Sequence, residues 1–187
     1  MGQDPSLRNN LATVHRYITT HNSDGKAIFS GSQPETLDPT PLPDGRAEFR
    51  LGFATHKFPI QLTGDPDLGF YADKLANPPG LNLSNGSVLR YVDMPPNSVS
   101  PMHRTVSLDY GIVLEGQISL ILDSGESKVM EKGDCAIQRG TNHAWHNQHA
   151  TEWARMVFIL LPCFPIEIQN ARLGENLGDM NGVPAST

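Results

Sequence analysis

The 187-residue sequence has only two cysteines, Cys135 in GDCAIQ and Cys163 in LLPCFP, and neither belongs to a CxxC pair. Both lie in apolar surroundings, so they read as buried free thiols and not as a disulfide. Basic charge is also scarce. Lys and Arg number 14 against 20 Asp and Glu, a net charge of −6. No basic stripe exists to release counterions, which excludes nucleic acid and anionic membrane as partners. No apolar run reaches the ~18–20 residues of a membrane span. The opening MGQDPSLRNN carries no apolar stretch of the kind a secretory signal needs, so a cytoplasmic location is expected. Without such a signal, the glycosylation patterns at Asn82-Leu83-Ser84 and Asn85-Gly86-Ser87 are chance matches. Helix signals are nearly absent. ARLGENLGDMNG near the end is the one weak candidate, and its glycines argue against it. There is no phosphate loop, no GxGxxG before a helix and no lysine in a recognisable Schiff-base setting.

Turn residues, by contrast, are abundant, with 17 Gly and 15 Pro. The length suits one domain with extensions. Strand candidates occur at TVHRYITT (13–20), AIFS after the turn NSDGK, and AEFRLGFATHKF (47–58). Two stretches read as irregular: SGSQPETLDPTPLPDG and TGDPDLGFYADKLANPPGLNLSNG. From residue 87 the texture changes to short strands at intervals of roughly 8–12 residues, the rhythm of an antiparallel sandwich or barrel. SVLRYVDM, YGIVLEG, QISLILDSGES, KVMEKGD, CAIQRG, TNHAWHNQ and WARMVFILLP follow in turn, and DSGE closes a hairpin. The tail GVPAST is expected to be loose.

Candidate chemistry centres on SPMHRTVSLDYGIVLEG, residues 100–116. His103 and Asp109 are six residues apart, about 20 Å on a straight strand at ~3.3 Å per residue. They share a site only if the chain turns between them, near Thr105–Leu108. Further on, alternation in RGTNHAWHNQ places His143, Trp145 and Asn147 on one strand face and His146 on the other.

These segments together resemble the cupin superfamily, in particular the single-domain cupins of natural-product, including fungal, pathways. The first cupin motif is His-x-His, then Glu, then Gly seven residues on. It is met by His103, Asp109 and Gly116, with Thr105 in place of the second histidine. The second motif is met by Gly133, Gly140, His143 and Asn147, with Gln138 where the family has proline. The resemblance spans about residues 86–162. It implies an all-β, double-stranded β-helix (jelly-roll) barrel with an N-terminal strand extension. The implied organisation is an extension over 1–85, a barrel core over 86–162 and a C-terminal tail over 163–187.

The resemblance further implies a divalent metal, Zn, Mn or Fe, held by His103, Asp109 and His143. The other outcome is a metal-free pocket in which the histidines act as acid and base. These three residues are then the catalytic candidates, with Thr105, Trp145, Arg139 and Asn147 against substrate. Arg104 and Arg139 flank the histidines as candidate carboxylate clamps. Phe49, Phe53 and His56 are further candidates to line or close the pocket. The expected function is a small-molecule lyase, a decarboxylase or dehydratase, acting on an oxygenated aromatic or polyketide-like substrate. An Fe(II)-dependent dioxygenase and a non-catalytic binding module are the alternatives. A homodimer is implied, because such extensions often add strands to a neighbouring subunit.

Overall fold

Residues 8–187 are described here from a computed structural model. The sequence reading of residues 1–7 lies outside them. Fourteen strands and one helix occur in the order β1 (Thr19–His21), β2 (Ala27–Phe29), β3 (Thr40–Pro41), β4 (Glu48–Ala54), α1 (Pro66–Ala76), β5 (Val88–Met94), β6 (Ser98–Val99), β7 (Ser107–Glu115), β8 (Ile118–Leu122), β9 (Ser127–Met130), β10 (Cys135–Arg139), β11 (His143–Asn147), β12 (Ala154–Pro162), β13 (Ile166–Ile168) and β14 (Ala171–Leu173). Two antiparallel sheets make the barrel, ordered β10-β7-β12-β5-β4-β3 and β6-β11-β8-β9. This is the double-stranded β-helix. β1–β2 and β13–β14 are separate hairpins.

Alternation dictates which side chains enter the barrel. In β7, Ser107, Asp109, Gly111 and Val113 are buried, while the residues between them are half-buried or exposed. β12 lies between β7 and β5, and its apolar run is buried along most of its length. The core draws on both sheets, including Val88, Met94, Val113, Ile118, Trp145, Met156 and Phe158. Two glycines are needed where they stand. Gly116 has φ +75° at the β7–β8 turn, and a β-carbon there would also press on Ala154. Gly111 lies beneath Phe158, whose ring would be 2.8 Å from an added β-carbon.

Several sequence expectations are corrected. DPDLGFYADKLAN, read as irregular, contains α1. Pro66 starts the helix, Asp67 and Lys74 sit at the ends that suit their charges, and the chain leaves at Asn77 before Pro78 and Pro79. Buried Tyr71 anchors α1 to β4, donating to the Leu51 carbonyl at 2.8 Å. ARLGENLGDMNG, whose glycines argue against a helix, indeed forms none and holds β14 and irregular chain. The tail is fastened rather than loose: Ser84 N–H donates to the Thr187 carbonyl at 2.6 Å, and Leu177, Met180 and Val183 pack on the core. Both cysteines are free, but Cys135 is exposed and Cys163 half-buried, because Cys135 falls on the outward phase of β10.

The N-terminal segment covers the outer face of the large sheet. Asp93 on β5 is fully buried there. It accepts from Arg50, from Arg155 (Nη2 to Oδ2, 2.7 Å) and from Asn9 (2.7 Å). Burial pushes this carboxyl up, but those hydrogen bonds and positive charges outweigh it and hold the group below its usual value.

Candidate active site

The cavity lies inside the barrel, about 70 Å³ in volume, with His103, Thr105, Asp109, His143 and Trp145 in its wall. The turn required between His103 and Asp109 is present. His103 forms an isolated bridge to His143, the chain bends at Val106, and β7 begins at Ser107. His143 opens β11, whose alternation points His143, Trp145 and Asn147 inward while His146 stays half-buried.

The two imidazoles are fixed alike. Nδ1 of His103 donates to the Pro101 carbonyl at 2.8 Å, and Nδ1 of His143 to the Thr141 carbonyl at 2.9 Å. A carbonyl only accepts, so each proton resides on Nδ1 and each Nε2 keeps its lone pair. The rings are 4.4 Å apart between centroids. Burial lowers both proton affinities, and for His143 the neighbouring His103 adds to this, bringing it to about 3. Both rings are therefore neutral at physiological pH.

Asp109 is buried and held through hydroxyls. Ser107 Oγ donates to Thr105 Oγ1 at 2.7 Å, and Thr105 Oγ1 donates to Asp109 Oδ2 at 3.3 Å. Burial raises this carboxyl to about 6 despite those hydroxyls. Thr105 thus supports the acid in the position where the family pattern has a second histidine. Among the described residues, Asp109 Oδ1 has no hydrogen-bond partner. Gln138 is its cross-strand neighbour on β10, and Gln138 Nε2 also has none. A donor and an acceptor are left open on facing inward positions.

Trp145 packs edge-on against His143 (5.3 Å) and Phe158 (5.4 Å), and Phe158 and Leu160 complete an apolar wall. Arg139 is exposed on the outward phase of β10 and does not line the cavity. Arg104 donates to the Gly174 carbonyl at 2.8 Å, outside the cavity. Asn147 is fully buried and structural: its Nδ2 donates to the carbonyls of Met94, Pro95 and Glu152. Phe49 lines the cavity, whereas Phe53 packs on Tyr71 and His56 on Phe70.

The arginines in the wall are Arg46 and Arg90, which sequence reasoning passed over. Arg90 had a signal. In SVLRYVDM it shares the inward phase with Val88 and Val92, where a charge is out of place. Arg90 Nη2 donates to the Gly80 carbonyl at 2.8 Å, and its guanidinium lies over the Phe49 ring at 4.9 Å. Burial lowers it to about 10, so it remains a cation. Arg46 forms a two-pronged pair with Asp179 of the tail, at 3.2 and 3.0 Å. Met180, one residue on, closes part of the cavity.

A cupin-domain family model matches residues 90–160. The chain is 48% identical over 172 residues to phomopsin biosynthesis cluster protein C′ of Diaporthe leptostromiformis, covering 92% of this chain and 88% of that one. It is 43% identical over 172 residues to the cupin-domain-containing oxidoreductase virC of Hypocrea virens, covering 89% and 82%. Among solved structures it resembles the polyketide cyclase RemF of Streptomyces resistomycificus, with TM-score 0.46 and 18% identity over 80% of this chain and 82% of that one. The chain belongs to the cupin-domain proteins of fungal biosynthetic clusters.

That family implies a divalent metal. The two Nε2 lone pairs suit such an ion, and their Nδ1–H···O=C bonds are the usual support for metal-ligating imidazoles. Among the described residues, no three His, Cys, Asp or Glu side chains lie together at ligand spacing. The donor chemistry therefore fits an ion on the imidazole pair, while Asp109 is turned to Thr105 and not gathered with them.

Proposed function

We propose that the chain is a biosynthetic lyase that eliminates water from a small oxygenated substrate by paired proton transfer in the barrel cavity. One observation carries this reading. Two neutral imidazoles with free Nε2 atoms share a cavity with a buried carboxyl raised to about 6. Environments that push titratable groups in opposite directions are how one site presents both a base and an acid. Loss of water needs both, whereas loss of CO₂ needs only the proton donor.

An Nε2 lone pair on His103 or His143 takes the proton from the carbon beside a substrate carbonyl. The electron pair left behind forms the new C=C bond as the neighbouring C–O bond breaks. The protonated form of Asp109 gives its proton to the departing hydroxide, so water leaves. Proton transfer from the imidazolium to the carboxylate restores the starting state. Trp145, Phe158 and Leu160 keep the surroundings apolar, which strengthens each of these interactions. A divalent ion held on these same Nε2 lone pairs would take the place of the histidine base and supply Lewis acidity toward a substrate oxygen instead.

The second reading is an oxidoreductase. It is favoured by the name of the relative virC, similar over most of this chain. The test is incubation of purified protein with extract from a producing strain lacking the gene, with and without O₂, followed by mass spectrometry. Loss of the mass of water under nitrogen supports the lyase. Conversion that requires O₂ and adds oxygen overturns it.

A further inference from the structure

A second chamber, about 420 Å³, adjoins the barrel cavity. Leu42, Phe49 and Arg90 line both. A cavity of ~150 Å³ is what encloses a single benzene, so the 70 Å³ barrel cavity has room for a reacting end only. The larger volume lies beyond the Phe49–Arg90 wall.

Charge and hydrogen bonding in the chamber are unbalanced in one direction. Arg16, Lys74 and Arg90 line it against one carboxylate, Asp38. Lys74 is answered by Asp73 at 3.0 Å. Among the described residues, no carboxylate answers either arginine. Arg90 is only 5% exposed, has carbonyls for Nη2, and leaves Nη1 buried without a partner. Arg16 donates Nη2 to the Pro34 carbonyl at 2.7 Å and lies over the Tyr71 ring, yet its Nε is also buried without a partner. A buried donor left open is costly, and more so on a charged group. Two of them, one in the irregular N-terminal segment and one on β5, belong to arginines that line one chamber. Leu37, Leu51, Leu75 and Val183 give the remaining wall an apolar part, beside the polar Gln33, Thr36 and Thr40.

We propose that this chamber is a binding site for an amphipathic organic anion, a carboxylate on an aliphatic or aromatic body, held by Arg16 and Arg90. The carboxylate takes the open guanidinium donors, and the body lies along the leucines. The site stands independently of the reaction assigned to the barrel.

The test is calorimetric titration of the full chain with octanoate, 1-octanol and inorganic phosphate, with the Arg16 Nε–H resonance followed by NMR. Octanoate should bind and shift that resonance. Octanol and phosphate should each bind at least about tenfold more weakly, as expected for losing a charge-assisted hydrogen bond or the apolar contact. Arg16→Met and Arg90→Met should each weaken octanoate about tenfold, while His143→Ala leaves it unchanged. If Arg90→Met does not fold, Arg16→Met and the wild-type resonance decide. Equal affinity for octanoate and octanol, phosphate binding as tight as octanoate, an unaffected Arg16→Met, or no octanoate binding each overturns the proposal. Failure of the lyase reading leaves these results untouched.

Discussion

His103 and His143 hold each other through the backbone in both directions. Each N–H donates to the other's carbonyl at 2.9 Å, and the rings stand 4.4 Å apart. The pairing brings together two segments forty residues apart in sequence and fixes both Nε2 atoms on the same cavity. Because backbone atoms carry the bridge, side-chain replacement should leave it in place. His143→Ala and His103→Ala are expected to fold with near wild-type circular dichroism, while conversion in the producing-strain extract falls roughly 10²–10⁴-fold. Turnover within tenfold of wild type in both variants counts against the histidines.

Asp109 and His143 move stability with pH in opposite senses. Between its ordinary value of 3.8 and about 6, Asp109 keeps a proton in the native state that the unfolded chain has released. Its contribution is complete below that window and is lost as pH rises through it. His143 does the reverse. From about 3 to 6.5 the unfolded chain holds the proton, so stability rises with pH. Asp109→Asn removes only the first effect. Urea unfolding near pH 8 should show the variant gaining up to about 3 kcal/mol over wild type, with the gain gone near pH 4. A variant equally destabilised at both values contradicts the raised carboxyl.

Asn147→Ala separates a structural amide from a substrate contact. The two N–H donors of one Nδ2 are shared among three carbonyls, so its loss should cost roughly 2–4 kcal/mol. Thermal unfolding should show the drop, and the folded variant should retain wild-type KM. A raised KM with unchanged melting temperature would return Asn147 to the substrate-binding set.

Any divalent ion carried by the purified protein should depend on the imidazole pair. Elemental analysis should find it lost from His103→Ala and His143→Ala and kept in Asp109→Ala, since Asp109 is turned to Thr105. Loss from Asp109→Ala would restore the three-ligand set that the sequence pattern implies.

The barrel was legible because its signals are local. Alternation, turn residues and motif spacing mark the strands of 87–162, the bend before Ser107 and the inward face of β11, while the inward face of β7 is seen only in the structure. The misses were long-range. Helix α1 looked like loop because prolines crowd both its ends, although proline suits a first turn. Arg139 is near His143 in sequence, but it ends β10 on the outward phase and a turn separates it from β11. Arg46 and Met180 reach the cavity only through tertiary folding, so no pattern around the motifs could show them. Arg90 was within reach, since its phase on β5 is set by the valines either side.

The tail that carries Met180 to the cavity is fastened by an ion pair open to water, Arg46 with Asp179. Ions in the buffer screen such a pair within about 10 Å at 0.1 M. Dissolved salt therefore loosens this one exposed tether, while the apolar packing of Leu177, Met180 and Val183 on the core is left in place.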